Sequence, residues 1–195
     1  SICASVNDVV VHGIPNDVPL KEGDIISVDC GTFLNGFCGD SCYTFCVGEV
    51  DEATRKLLQV TKESLYKGIE QAVHGKRIGD IGSAVQTHCE QNGYGVVREF
   101  VGHGIGRNMH ESPEVPNYGR KGNGLQLRQG MCIAIEPMIT LGKRQIFMER
   151  DGWTVRTRDR KNAAHFEHTI AVCKDKADIL SSFEFVEEVL RSKGY

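Results

Sequence analysis

Apolar residues recur with a period of two at the start of the chain and with a helical period after residue 52. The short period predicts strands, and the helical period predicts helices that bury one face. Gly75 and Gly93 are expected to end these helices. The pattern therefore predicts strands over 9–13 and 24–29, a hairpin over 29–47, and helices over 52–73 and 80–92.

The second half of the chain is richer in glycine and returns to the period of two. Three glycines within residues 102–106 argue against a helix and indicate close backbone approach. Residues 112–124 are predicted to form a loop. We predict strands over 131–140 and 164–173, with a hairpin turn at 151–152. A capping box at 181–184 is predicted to open a C-terminal helix. This order predicts an α+β fold with a mostly antiparallel sheet.

The turn of the first hairpin fixes which of its side chains lie together. Asn35-Gly36 accepts the positive φ angles of a two-residue turn. In the resulting register Gly31 faces Asp40, and Asp29 and Asp40 are diagonal neighbours on one face. Two ionised carboxylates at so short a distance repel each other. The pKa of one of them is therefore expected to rise unless a cation lies between them. Simple solvent exposure is the alternative, and Gly31 would leave space for an ion.

Composition and charge narrow the class of protein. The 195 residues are 40% hydrophobic and 25% charged, which is ordinary for one globular domain or two small ones. A net charge of −3 argues against a nucleic-acid-binding surface over the whole chain, so no DNA partner is expected. The basic residues within 156–161 are interpreted as a solvated strand edge, with RNA contact as the alternative. No apolar run has the length of a membrane span, so no membrane partner is expected.

The eight cysteines lack the spacing of a zinc ribbon. Cys38, Cys42 and Cys46 recur at intervals of four, which places them on one strand face and does not make a zinc site. Reduced, buried thiols in a cytoplasmic protein are the simplest interpretation. The chain opens with Ser1 and shows no signal peptide, so we expect it to lack its natural N-terminal segment.

Two ten-residue segments, 20–29 and 127–136, resemble each other. Leu, Gly and Ile coincide in them, and each segment ends in an acid, Asp29 or Glu136. A His-Gly-Ile triplet precedes each segment. Coincidence is the alternative, but a true duplication predicts two similar halves, about 1–95 and 96–195, within one catalytic domain. Each half then brings its acid to a shared cleft, and Glu167 becomes the counterpart of Asp40.

Collecting these groups gives four carboxylates and one imidazole. Such ligands suit divalent Mn, Fe(II), Co or Zn, and two such ions would balance four acids. Two-metal sites of this kind support hydrolysis. Taken singly, a strand-end Asp usually caps a turn and a lone His is usually structural. The hypothesis of a metal site therefore rests on the joint occurrence of the four acids and the histidine. The candidate ligands are Asp29, Asp40, His103, Glu136 and Glu167.

Several motifs in order give the chain a specific resemblance. It resembles the type I methionine aminopeptidases, which share the pita-bread fold with aminopeptidase P and prolidase. That fold has two pseudo-symmetric halves and a curved antiparallel sheet covered by helices. The similarity is densest over residues 5–15, 29–40, 97–106, 135–138, 151–154 and 166–169.

The resemblance implies a role for each candidate residue. It implies that the five candidate ligands hold two metal ions, with Asp40 and Glu167 bridging them. A metal-bound hydroxide would attack the carbonyl after the first residue, and Glu136 would accept the proton of that water. His110 would stabilise the oxyanion and His12 would contact the substrate amide. The substrate would be the N-terminus of a peptide or nascent polypeptide whose second residue is small, with its α-amine on one metal.

The resemblance also implies a pocket for the methionine side chain. Cys3, Met109 and Trp153 would form it, together with His12 and His110, as a soft and flat-walled site for a thioether. An ordinary core position is the alternative for each of the first three. Many relatives carry an aromatic residue at the position of Met109. We expect a cytoplasmic monomer, with transient ribosome contact as an additional interaction.

Two other functions fit the same motifs. A prolidase or aminopeptidase P would share the fold, but these enzymes usually carry a large additional N-terminal domain. A catalytically inactive pita-bread module that binds protein or RNA would have lost metal ligands, whereas all five are present here. A plain metal-binding protein would leave His12 and His110 without a role.

Overall fold

The computed structural model describes residues 2–194. Sixteen strands and three helices are assigned within this range. The strands are β1 (Ile2–Val6), β2 (Val9–Val11), β3 (Ile25–Cys30), β4 (Thr32–Leu34), β5 (Phe37–Gly39), β6 (Ser41–Cys46), β7 (Gly95–Val96), β8 (Gly102–Gly104), β9 (Glu111–Val115), β10 (Cys132–Ile135), β11 (Met138–Thr140), β12 (Ile146–Met148), β13 (Val155–Thr157), β14 (Ala163–His165), β15 (Glu167–Ala171) and β16 (Asp178–Ile179). The helices are α1 (Glu52–Ile69), α2 (Ile78–Gln91) and α3 (Glu184–Ser192).

The largest sheet is antiparallel and has two similar halves. Its strand order is β1-β3-β6-β15-β10-β8-β9, with β16 beside β15. In each half an outer strand pairs with the strand of the ten-residue repeat, which pairs with an inner strand: β1-β3-β6 and β8-β10-β15. The inner strands β6 and β15 pair with each other. The predicted α+β class and two-halved antiparallel sheet are confirmed.

The register predicted for the first hairpin is confirmed. Leu34 lies opposite Phe37 across the Asn-Gly turn, and Asp29 lies opposite Cys42. Asn35 and Gly36 both have positive φ, at 52° and 84°. The predicted single hairpin is interrupted between β3 and β4 and between β5 and β6, and the second of these breaks is at Asp40.

The predicted strands 131–140 and 164–173 are also interrupted. The first divides into β10 and β11 at Glu136-Pro137, and the second divides into β14 and β15 at Phe166. The chain passes from the large sheet to a small one between β10 and β11, and back to the large sheet between β14 and β15, because β11 and β14 pair with each other in a separate sheet. Glu136 and Glu167 therefore lie where the two sheets meet.

Helices α1 and α2 cover the sheet and form most of the apolar core with it. Asp51 caps α1 through a 2.8 Å hydrogen bond from the Thr54 N–H, as expected for an N-cap aspartate. The helix ends at Ile69, so the prediction that it continues to residue 73 is wrong. Val73 instead forms a bridge to Cys173 beyond the end of β15, which takes the chain out of helical geometry.

Two further local predictions are wrong. The predicted loop 112–124 begins with residues of β9, a strand that pairs with β8. The capping box predicted to open α3 is absent, because the hydroxyl of Ser181 accepts a hydrogen bond from the Thr169 N–H instead. An ion pair between Lys62 and Glu187 joins α3 to α1. No helix within residues 2–194 is long and apolar enough to cross a membrane.

Candidate functional site

The five predicted ligands come from five places in the large sheet and meet at one point. Asp29 is in β3, and His103 is in β8. Asp40 lies directly before β6, Glu136 directly after β10, and Glu167 begins β15. The breaks in the strands thus place three of the carboxylates at strand ends.

Distances show how closely the groups converge. His103 Nε2 lies 3.5 Å from Glu136 Oε1 and 3.9 Å from Asp40 Oδ2. One donor atom each from Asp40, His103 and Glu167 lies within 4.8 Å of the others. His103 Nδ1 is 2.9 Å from the Gly104 carbonyl, so the ring proton is on Nδ1 and the lone pair of Nε2 faces the carboxylates.

Burial and mutual repulsion disfavour the ionised forms of these acids. Burial, then the charge of Asp40 and a hydrogen bond with it, raises the pKa of Asp29 from 3.8 to about 7. Burial, followed by the charges of neighbouring carboxylates, also raises the pKa of Glu136 and of Glu167 well above the usual range. Burial lowers the pKa of His103, which keeps the imidazole neutral. A cation would relieve this repulsion.

The residues present fit a divalent metal. Glu167 Oε1 is buried and has no hydrogen-bond partner within residues 2–194. A buried carboxylate oxygen without a donor is costly unless another partner binds it. Carboxylate oxygens with one imidazole nitrogen form the ligand set of hard to borderline divalent ions.

The two predicted catalytic histidines lie near each other, His110 beside His103 and His12 beside His165. The His110 ring is 4.4 Å from the ring of His103, centroid to centroid, and His110 is exposed. The His12 ring stacks on Trp153 at 4.5 Å and meets the edge of Phe100 at 5.3 Å. Burial lowers the pKa of His12. His12 has φ 62°, which is uncommon for a residue other than glycine and turns the chain after β2.

The predicted pocket residues also border the cluster. Cys3 in β1 lies directly opposite Asp29 in β3. The Cε atom of Met109 lies 2.8 Å from the position that a Cβ atom on Gly31 would take. The expectation that Gly31 leaves space for an ion is therefore wrong, because the methionine methyl group fills that space. Trp153 is 51% exposed, so the alternative of an ordinary core position does not apply to it.

Comparison with known proteins agrees with this site. The model of metallopeptidase family M24 matches residues 1–174. The methionine aminopeptidase of Clostridium acetobutylicum is 52% identical over 185 residues, covering 94% of this chain and 74% of the relative. Methionine aminopeptidase 1 of Bacillus subtilis is 51% identical over 181 residues, covering 93% and 73%. The chain belongs to the methionine aminopeptidases of family M24. The predicted family is confirmed.

Solved structures support the same family assignment. The crystal structure of methionine aminopeptidase from Rickettsia prowazekii has a TM-score of 0.90 and 49% identity, covering 91% of this chain and 72% of that one. The prolidase from Pyrococcus horikoshii OT3 has a TM-score of 0.72 at 24% identity and covers 93% and 47%. The latter shows the shared pita-bread fold alone. Family membership implies the use of a divalent metal.

The structure adds one residue that the sequence reasoning missed. His165, at the end of β14, is buried, and its Nε2 lies 3.7 Å from Glu136 Oε2. Burial, followed by the nearby His12, lowers the pKa of His165 to about 3, so the ring is uncharged at neutral pH. Residues two apart in an extended chain share a face, so the spacing from His165 to Glu167 could have indicated it.

Proposed function

We propose that the chain removes the N-terminal methionine from polypeptides whose second residue is small, with two divalent metal ions. The observation that carries this proposal is the cluster of Asp40, His103 and Glu167, whose donor atoms lie within 4.8 Å of one another around a buried carboxylate oxygen of Glu167 without a hydrogen-bond partner in the described residues. Glu136 adjoins this cluster through His103, and Asp29 adjoins it through Asp40. The curated relatives named methionine aminopeptidase support the choice of substrate.

Charge supports two ions rather than one. Four carboxylates around one dication would leave two excess negative charges in a largely buried site, where an unbalanced charge is costly. Two dications balance them. Asp40 and Glu167 are proposed to bridge the ions, and Asp29, His103 and Glu136 to complete their coordination. Mn, Fe(II), Co and Zn all accept such ligands.

Both halves of the chain supply ligands, so residues 1–195 are proposed to act as one catalytic domain. The first half, about 1–95, supplies Asp29 and Asp40. The second half, about 96–195, supplies the remaining ligands, His103, Glu136 and Glu167. Since β6 and β15 pair directly, a change in the packing of either half would displace ligands of the other.

The protein groups have separate roles in the reaction. A bound divalent ion supplies Lewis acidity, which polarises the scissile carbonyl and lowers the pKa of water. Glu136 accepts a proton from the attacking water. The exposed His110, whose ring lies beside that of His103, would donate a hydrogen bond to the oxyanion. His12, which stacks on Trp153, would donate one to the substrate amide. The free α-amino group of the substrate would bind one of the ions, which would restrict cleavage to N-termini.

The methionine side chain is proposed to bind between Cys3, Met109 and Trp153, with His12 and His110 at the reacting end. A thiol, a thioether and an indole face form a polarisable surface that suits the sulfur of methionine. The length and flexibility of Met109 let this wall adjust to its ligand. This pocket would select the residue that is removed.

Location and partners are also proposals. A cytoplasmic location is supported by the cysteines, since all eight are free thiols, as expected in a reducing compartment. Polypeptide N-termini are the proposed macromolecular partner. A monomeric state and a transient contact with the ribosome stay predictions.

The test is a peptidase assay on protein first stripped of metal with a chelator. Adding Mn²⁺ or Co²⁺ should restore hydrolysis of Met-Ala-Ser and leave Ala-Pro peptides intact. Asp40→Asn should abolish activity and lower the bound metal per chain while the fold persists. Asp24→Asn is the matched control, because Asp24 bonds Asn7 at 2.8 Å outside the cluster.

Three outcomes would contradict the proposal. Cleavage of Ala-Pro peptides would indicate a prolidase. Absence of any peptidase activity after metal addition would indicate a binding module. Full activity in Asp40→Asn would refute the bridging role of Asp40.

A further inference from the structure

The carboxylate of Glu136 lies between two imidazoles. Its Oε1 is 3.5 Å from His103 Nε2, and its Oε2 is 3.7 Å from His165 Nε2. His165 Nε2 is buried and has no hydrogen-bond partner within residues 2–194. A buried ring nitrogen without a partner is costly, so its orientation calls for an explanation.

The backbone of His165 is held independently of its side chain. The hydroxyl of Thr44 donates a 2.7 Å hydrogen bond to the His165 carbonyl and accepts a 3.0 Å hydrogen bond from its N–H. In the small sheet His165 also lies opposite Met138. The imidazole therefore projects from a fixed frame toward the Glu136 carboxylate.

The Glu136 carboxylate has no comparable support. The Glu136 carbonyl accepts a 2.9 Å hydrogen bond from Asn117 Nδ2, which holds the backbone. The two imidazoles approach its carboxylate at 3.5 and 3.7 Å, which is longer than an ordinary hydrogen bond. A side-chain shift of about 0.5 Å would bring Oε2 within hydrogen-bond range of His165.

We propose that His165 is a positioning residue for Glu136, donating the Nε2 proton to Oε2 so that Oε1 is turned toward His103 and the metal. The inference rests on the proposed metallopeptidase function. A metal-binding carboxylate is commonly oriented by such an outer hydrogen bond, and its loss typically costs about 10- to 100-fold in affinity or activity.

A role in binding the substrate is the competing interpretation, because His12 and Met138 both lie close to His165. The two roles differ in what they change. A positioning residue alters metal affinity and kcat, whereas a wall of the methionine pocket alters KM for the peptide and leaves metal affinity unchanged.

The experiment compares His165→Leu, which cannot donate a hydrogen bond, with His165→Gln, which can. The metal-free proteins are titrated with Mn²⁺ by calorimetry, and kcat and KM for Met-Ala-Ser are measured at saturating Mn²⁺. His165→Leu should weaken Mn²⁺ binding by about 10- to 100-fold and lower kcat at unchanged KM. His165→Gln should recover both to within about threefold of the wild type.

His88→Leu is the matched control. It removes an imidazole of α2 that pairs at 2.9 Å with Glu63 of α1, which is not one of the candidate ligands, and should leave Mn²⁺ binding unchanged. If His165→Leu does not fold, His165→Asn replaces it, because its shorter side chain keeps the amide away from Oε2.

Unchanged Mn²⁺ affinity in the folded His165→Leu or His165→Asn protein would overturn the inference, and a rise in KM alone would assign His165 to the methionine pocket. Wild-type protein that binds Mn²⁺ but cleaves no peptide would refute the proposed function. The calorimetric comparison would still decide whether His165 positions Glu136.

Discussion

Replacing Asp29 with Asn should change how the stability of the metal-free protein depends on pH. The carboxyl of Asp29 has its pKa raised from 3.8 to about 7, chiefly by burial and then by Asp40. A raised folded-state pKa gives a contribution that is present below pH 3.8 and lost as the pH rises through 7. The metal-free wild type should therefore lose stability across this window, and Asp29→Asn should not share this loss.

The magnitude follows from the shift. About three pKa units correspond to about 4 kcal/mol in total, at about 1.4 kcal/mol per unit. Of this, about 2.5 kcal/mol should fall between pH 5 and pH 8, where the folded carboxyl ionises. This is an upper limit, because part of the shift comes from the neighbouring charge of Asp40 and not from burial alone.

The assay is urea unfolding in the presence of a chelator at pH 5, 6, 7 and 8. The quantity of interest is the free energy of unfolding of Asp29→Asn minus that of the wild type, which cancels the other titrating groups to first order. It should rise by up to about 2.5 kcal/mol over this range. Asp24→Asn should give a flat difference, because hydrogen bonds from Asn7 and Lys21 lower the pKa of Asp24 and keep it ionised.

A difference in the free energy of unfolding that does not change with pH for either variant would refute the reasoning. It would mean that the surroundings of Asp29 do not destabilise its ionised form. Saturating Mn²⁺ provides an internal check. Metal binding requires deprotonated carboxylates, so added Mn²⁺ should stabilise the wild type more at pH 8 than at pH 5.

Three further predictions concern the pocket and the core. Trp153→Ala removes the ring that stacks on His12 at 4.5 Å, so KM for Met-Ala-Ser should rise with little change in melting temperature, and an unchanged KM would exclude Trp153 from the pocket. Gly31→Ala places a Cβ atom 2.8 Å from Met109 Cε and should shift KM, because the flexible side chain can move at little cost in stability. Phe166→Ala should lower the free energy of unfolding by about 3–5 kcal/mol in urea titrations, because this ring is buried in the main core.

Sequence patterns predicted the structure correctly where it depends on residues close together in the chain. The Asn35-Gly36 turn set the register of the first hairpin, because a two-residue turn leaves one choice of opposed pairs. That register brought Asp29 and Asp40 to one face before any tertiary contact was known. The repeat of 20–29 in 127–136 also predicted a second half similar to the first, since similar segments form similar strands, and β10 pairs with β15 as β3 pairs with β6.

Elements that depend on distant partners were predicted less well. Helix α1 ends before its apolar stripe does, because Val73 bridges to Cys173 from the other end of the chain. Strand β9 lacks a clear alternating pattern and exists because β8 is available to pair with it. Ser181 fits a capping box in sequence, but a partner in β15 takes its hydroxyl.

The sequence alone determined the family, the α+β class and the five candidate ligands, since motifs and strand periodicity are properties of short segments. The tertiary structure decided what surrounds those ligands. It broke the strands at Asp40, at Glu136 and before Glu167, it filled the space beside Gly31 with Met109, and it turned His165 toward Glu136. Each of these depends on contacts between segments far apart in the chain, and their packing appears only when the two halves are joined.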